Sequence, residues 1–462
     1  MSDAVVVQVP GDKSWSIRAL LLALLAEGPC VVRGVPRARI TDATLQALRV
    51  LGALVDVDGS DDASAEALAA SGSSSRETSL AAGLVVRITP PRQLRDDVVI
   101  DCGGSATLAR LLCGLLAGRG VAATIVGSPM LSRRPMRRVA EPLAQWWGRE
   151  VLATTEGRLP VRVQPGPPPP HDDVTLHPGD SAQVRSAMLL AALATKRPVT
   201  LWSERPGRRH TEQLLRRLGS VVVEDDVGPL GRCRRTHLQP APITAFDLTV
   251  PADPSAAACV QVLAARGPRR VSIPGLIVDV ERAGLLEVFR RAGVRVELDD
   301  VIERDGLCTA TVTVGPGHGA VASPPLRVEA ELVPDLIDEV PALAAWCAGA
   351  STPSTLCGLA ELRVKESDRL ARIAELLGAF GIPTHVDDDT LQVLPRAPQP
   401  PTGVIVTDHD HRIGMAAHVL ARLGRAPKDA LSFVLDDDDC IDESWPGFVS
   451  ALSLVHRAIW QR

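Results

Sequence analysis

Five short stretches of this chain set Lys or Arg beside hydroxyl, amide or carboxylate groups at the openings of helix-like segments. Lys13-Ser14-Trp15-Ser16-Ile17-Arg18 puts two cations beside two hydroxyls, a set able to hold a phosphate or a carboxylate. Ser181-Ala182-Gln183-Val184-Arg185 supplies a hydroxyl, an amide and a guanidinium. Glu361-Leu362-Arg363-Val364-Lys365-Glu366-Ser367-Asp368-Arg369-Leu370 is the densest, with six charges in nine positions. Ser132-Arg133-Arg134-Pro135 and Asp410-His411-Arg412 complete the set. Each stretch also suits a plainer role. The first two would serve as helix caps, and a charge run is usually a solvated helix face. The long run, however, precedes a helix whose apolar face begins at Leu370, so it sits at that helix's N-terminal end and can point into a cleft. Taken together, cations spread over both halves of the chain are the composition of a cleft that closes on a multiply anionic substrate.

The elements that must position these residues form a repeat. Pro10-Gly11-Asp12 leading into Ala19 to Ala26, and Pro178-Gly179-Asp180 leading into Ala187 to Ala194, align without a gap. Weaker copies begin near Asp101, Pro251, Asp335 and Asp408. Strand candidates follow the first helices at Cys30 to Val32, Ala122 to Val126, Val199 to Trp202 and Val271 to Ile273. Second, amphipathic helices are predicted over Asp42 to Leu51, Arg138 to Trp147, Thr211 to Leu218, Glu281 to Ala292 and Asp368 to Phe380. They stop at Gly52, Gly148, Gly219, Gly293 and Gly381, where glycine accepts a left-handed backbone. Ala53 to Val57 and Val294 to Leu298 read as extended. Six units of strand–helix–strand–helix–strand imply an α/β protein of two three-unit domains, with first helices inside, sheets outside and a junction near Pro240 to Phe246. Six helix N-termini behind small or polar residues attract anions. Inserts at Gly59 to Gly83, Gln164 to Pro170 and Leu394 to Gly403 read as surface loops without chemistry.

The whole chain sets bounds. Its 462 residues exceed one ordinary core. A net charge of −5 argues against a general nucleic-acid surface. Nine scattered cysteines, an odd number with no Cys-x-x-Cys pair, point to reduced thiols in the cytoplasm and away from zinc or disulfides. The N-terminus lacks the basic, then apolar, pattern of a signal peptide, and apolar runs stop short of a bilayer span.

On Pro10 to Ser14 with Arg18, on Leu362 to Leu370, on Asp410 to Arg412 and on Ile337-Asp338-Glu339, the chain resembles the 5-enolpyruvylshikimate-3-phosphate synthases, enolpyruvyl transferases of the shikimate pathway. The resemblance runs nearly end to end. It implies two domains of three βαβαββ units each, residues 13–242 and residues 1–12 with 243–462, and an active site in the interdomain cleft. It further implies transfer of the enolpyruvyl group of phosphoenolpyruvate to the 5-hydroxyl of shikimate 3-phosphate, without cofactor or metal, by a monomer with no nucleic-acid or membrane partner. By the same resemblance Lys13, Asp338 and Glu366 are the catalytic residues. Ser14, Arg18, Ser181, Ala182, Gln183, Arg208, Asp338, Glu361 and Lys365 would bind shikimate 3-phosphate. Lys13, Ala106, Arg134, Gln183, Arg369 and Arg412 would bind phosphoenolpyruvate.

The chain departs from the family at several points. Gly103-Gly104-Ser105-Ala106-Thr107 replaces a Gly-Asn-x-Gly-Thr loop, and the Ala106 methyl should narrow the phosphoenolpyruvate pocket and reduce inhibition by the longer glyphosate. Ala182 takes a serine's place, Arg209 an aspartate's, and Trp15 that of a smaller apolar residue. Glu443 stands where some members have a lysine and others a neutral residue. These changes leave two alternatives open: a transferase with another acceptor, or a weak paralogue that binds a phosphorylated ligand.

Overall fold

A computed structural model of the chain describes residues 4–58, 77–79, 83–171, 174–177, 181–204, 207–227, 233–317 and 325–461. Pro178-Gly179-Asp180 and most of the 59–83 insert lie outside the described residues.

Six helices lie almost wholly inside: α1 (Lys13–Ala23), α2 (Ala106–Arg119), α3 (Ala182–Thr195), α4 (Pro254–Arg266), α5 (Val340–Ala348) and α6 (His411–Leu420). Their Ala/Leu composition leaves no polar face for water, which is why they are core helices and not surface ones. Small residues let them approach closely. A Cβ on Gly114 of α2 would fall 2.0 Å from the Ala187 carbonyl of α3, and one on Gly118 2.7 Å from that of Ala191.

Sheets enclose these helices, and their strands alternate buried and exposed residues, as in Arg158–Val163. Five sheets share one plan, a parallel pair extended by an antiparallel hairpin; Val98–Asp101, Ala123–Val126, Arg158–Val163 and Leu152–Thr155 are one example. The sixth unit departs from the expected repeat. Its sheet is only the parallel pair Val404–Ile405 and Val434–Leu435, and a helix, Phe448–Trp460, follows where a hairpin would stand. The second helices match the reading as Arg39–Val50, Arg137–Trp147, His210–Arg217 and Arg369–Ala379. The one expected over 281–292 is instead a 3-10 turn, Val280–Arg282, and a helix, Gly284–Arg291. That break turns the neighbours Glu281 and Arg282 inward together. Within the insert read as loop, Glu77–Ser79 pairs in parallel with Val5–Gln8.

Two hydrophobic cores result. One draws on residues from Trp15 to Val250, the other on Val5 to Val9 and on Ala256 to Ile459. The chain therefore crosses between them twice, and the crossings pair with each other: Asp12 N donates to the Pro251 carbonyl at 2.7 Å and Asp253 N to that of Pro10 at 3.0 Å. Gly11 must be glycine there, since its Cβ would lie 2.2 Å from the Gly34 carbonyl oxygen. Among the described residues no helix is long and apolar enough to cross a membrane.

Candidate active site

The openings of the core helices meet. Asp12 caps α1 by accepting from Trp15 N (2.8 Å), Asp253 caps α4 through Ser255 N (2.8 Å) and Asp410 caps α6 through Arg412 N (3.0 Å). Arg282 ties two of these caps, its Nη2 lying 3.1 Å from Asp12 and 2.9 Å from Asp253. Its Nη1 is 3.5 Å from Glu339 at the start of α5. A hollow opens over the joined helix starts, lined by Lys13, Asp253, His411, Arg412 and Ser444. Lys13 Nζ donates to Ser444 Oγ at 3.1 Å.

Two carboxylates gather the cations of both halves. Glu366 pairs with Arg134 of the first half (3.2 Å) and with Arg369 of its own. Asp338 pairs with Arg208 of the first half (2.7 Å) and lies 3.6 Å from Arg369 and 3.9 Å from Arg412. Arg412 also donates to the Asp338 carbonyl at 2.9 Å. Lys365, 2.9 Å from Glu361, adds its field at Asp338. Of the long charge run, then, Lys365, Glu366 and Arg369 turn inward, while Glu361 remains two-thirds exposed and Val364 faces out.

Gln183 is held by Arg110 Nη1 (2.5 Å) and by Thr107 Oγ1 (2.9 Å), which joins the starts of α2 and α3 behind Ala106. Ser181 caps α3 without a side-chain bond, and the Ala182 carbonyl accepts from Ser186 Oγ at 2.7 Å. Arg18 is buried and spends its N–H groups on Ser14 Oγ (2.6 Å), Thr211 Oγ1 (2.8 Å) and Ser186 Oγ (3.0 Å), so it ties α1 to α3. Buried Arg185 supports the Arg208 backbone, donating to the Arg208 carbonyl at 2.7 Å and pairing with Glu212 at 2.5 Å. Arg209, in an aspartate's place, reaches Glu281 of the other half at 2.7 Å.

These contacts set the protonation states. Burial works against the charge on Glu366, yet Arg369 and Arg134 hold its carboxyl well below the usual range. Asp338 is held down likewise, with Arg208 and Arg412 overcoming its burial. Burial and then Arg412 push the Lys13 ammonium down. His411 and His210 are kept neutral, chiefly by burial and then by Lys13 and Arg18 respectively. The 4.0 Å approach of His210 to Asp12 is accordingly not an ion pair.

Sequence reasoning missed Arg110 and Arg282, and it singled out Asp410 without its role as an anchor, in which the buried carboxylate takes Arg369 Nε at 2.9 Å. A cation inside an otherwise apolar helix, as Arg110 is in ATLARLLCGLL, is the signal that was there to find.

Comparison with known proteins agrees with this geometry. The family model for EPSP synthase (3-phosphoshikimate 1-carboxyvinyltransferase) matches residues 4–452. The 3-phosphoshikimate 1-carboxyvinyltransferase of Acidiphilium cryptum is 37% identical, covering 98% of this chain and 94% of its own. That of Granulibacter bethesdensis is 36% identical, covering 97% and 92%. The solved structure of EPSP synthase from Acinetobacter baumannii superposes with a TM-score of 0.75 at 27% identity, over 98% of this chain and 96% of that one. The enolpyruvyl transferase NikO from Streptomyces tendae, at 19% identity and a TM-score of 0.68 over 98% and 95%, shares the fold. With a match of this extent laid over converging cations and two ionised carboxylates, the chain belongs to the EPSP synthase family.

Proposed function

We infer that this protein transfers the enolpyruvyl group of phosphoenolpyruvate to the 5-hydroxyl of shikimate 3-phosphate and releases phosphate, the activity its relatives are named for. The observation that supports it most directly is the convergence of Arg134 and Arg208 from one half, and Arg369 and Arg412 from the other, on Glu366 and Asp338. Two substrates bearing two phosphates and two carboxylates need such a set to hold them in line. Arg208, Ser181, Ala182, Gln183, Ser14, Arg18, Lys365 and Glu361 take the shikimate 3-phosphate end; Arg134, Arg369, Arg412 and Lys13 take phosphoenolpyruvate. Ionised Asp338 accepts the proton of the 5-hydroxyl as its oxygen bonds to C2. Lys13, whose proton is loosened by burial, supplies the proton that C3 gains. Arg134 and Arg369 turn from Glu366 to the incoming anion, which removes the charges holding that carboxyl down and raises its basicity. Glu366 then takes a proton from the new methyl group while the C2–phosphate bond breaks.

Phosphate release from the two substrates tests the reading. Lys13→Ala and Glu366→Ala should abolish it, and a parent protein that releases none at millimolar substrates would overturn it. The Ala106 methyl at the start of α2 should weaken inhibition by glyphosate, with Ala106→Gly restoring sensitivity.

A further inference from the structure

The loop before α2 meets the 3-10 turn Asp439–Glu443 across the two halves. A Cβ built on Gly104 would lie 3.3 Å from Glu443 Oε2 and 3.4 Å from its Oε1 and Cδ, so the carboxylate rests on bare glycine backbone. A side chain at 104 would press on the carboxylate and shift it by a few tenths of an ångström. The next residue, Ser444, takes the Lys13 ammonium and lines the hollow with His411 and Arg412. Glu443 is thus a further carboxylate at the Lys13 end of the site, besides Asp253, Asp338 and Glu366. It is compensated less well than they are. Of the charges facing it, Lys13 bonds Ser444 and Arg39 stands 3.9 Å from both Asp439 and Asp442 of its own turn. Glu366 opposes it with the same sign.

Resting on the reaction inferred above, we propose that Glu443 sets the affinity for phosphoenolpyruvate: ionised it repels the anion, and protonated it donates a hydrogen bond to it, so substrate binds with uptake of one proton from solvent. Burial already lifts this carboxyl, against the pull of Lys13 and Arg39. A multiply charged anion placed beside it lifts it further.

The test is the KM for phosphoenolpyruvate and the kcat between about pH 5.5 and 8.5, in the parent, Glu443→Gln and Glu443→Asp. The parent KM should climb with pH, by at most about tenfold per unit, once Glu443 ionises. Glu443→Gln should flatten that climb and lie roughly tenfold below the parent at the alkaline end, with kcat within about twofold. Glu443→Asp should keep the slope. Lys13, His411, Glu366 and the substrate phosphate titrate in all three proteins, so the ratio of variant to parent isolates Glu443. Parallel profiles, or a raised KM in Glu443→Gln, would overturn the proposal alone. A parent without any turnover would overturn the reaction and the proposal together.

Discussion

Asp410 lies fully inside the protein and accepts from four donors: Ser367 Oγ (3.0 Å), Arg369 Nε (2.9 Å), Arg369 Nη2 (3.2 Å) and Arg412 N (3.0 Å). It fixes where Arg369 points and starts the helix that carries Arg412. Asp410→Asn keeps the shape but removes the charge and turns an NH2 toward one of the donors. We expect a loss of about 2–4 kcal/mol in urea unfolding and a raised KM for phosphoenolpyruvate. A variant as stable as the parent would show that Glu366 and Asp338 alone hold Arg369. The neutral buried histidines give a second residue-scale prediction. His210 and His411 stay unprotonated when folded but bind protons when unfolded below the ordinary value of 6.5, so stability falls as pH drops through that value. Asp335, lifted to about 6 mainly by burial, takes a proton in the folded state over part of the range and offsets one histidine. His418, pushed down to about 3 by burial and then by Arg422, is a third such histidine, so these four groups together should give a slope of about 2–3 kcal/mol per pH unit between roughly pH 6 and 5, steepening below about 4 as Asp338 and Glu366 lose the charges their partners favour. Urea midpoints that do not move between pH 7 and 5 would contradict it. Asp338, Glu366 and Arg369 were legible in the sequence because their motifs are specific. Asp410 as an anchor and Arg110 as a support were not, because burial turns a solvated charge into a structural one and no local spacing records burial.

The C-terminal ends of the second helices were legible to within a residue because apolar spacing and terminal glycines state the same boundary: Gly52, Gly148, Gly219, Gly293 and Gly381 all have positive φ, whereas the start expected at Asp42 lies three residues inside the helix that begins at Arg39. The break at Ala283 was hidden, since its cause is a contact of Arg282 with residues far away in the chain. The strand at Glu77–Ser79 was hidden because three residues carry no period, and the missing sixth hairpin because Thr384–Val386 and Leu391–Val393 close the fifth unit without announcing that the next will differ. Packing between elements makes its own prediction. A Cβ on Gly114 would lie 2.0 Å from the Ala187 carbonyl oxygen of α3, whereas a Cβ on Gly378, inside Arg369–Ala379, would meet nothing within 4 Å. Gly114→Ala should push α2 from α3 and cost about 1–3 kcal/mol. Gly378→Ala should stabilise by about 0.5–1 kcal/mol through helix propensity. Thermal melts that moved both proteins the same way would refute the packing account.

At the scale of the molecule, two cores are joined by two paired crossings and by a single buried guanidinium, Arg282, that serves Asp12, Asp253 and Glu339. Beyond that seam, the halves meet through ion pairs and through Gln213, whose amide donates to Asp279 at 2.7 Å and to the Gly306 carbonyl at 2.8 Å. Arg134 with Glu366, Arg208 with Asp338 and Arg209 with Glu281 each bridge the cleft. The sequence leads to the expectation that cations on facing helix openings repel one another until an anion arrives. The structure supplies an internal form of that anion: Asp338 and Glu366 stand among the cations as substrate phosphates and carboxylates would. Closure should therefore depend on these two carboxylates when no substrate is present. Asp338→Asn combined with Glu366→Gln leaves Arg134, Arg208, Arg369 and Arg412 facing each other with their shared partners neutralised, which favours separation by several kcal/mol at short range and less in salt. Small-angle scattering of the ligand-free double variant should give a larger radius of gyration than the parent. Shikimate 3-phosphate should shrink it back, since the inactive variant binds without turnover, and added salt should narrow the gap between variant and parent. A double variant with the parent's radius in low salt would mean that the crossings and Arg282 set the angle between the halves, and that the cleft charges only read it.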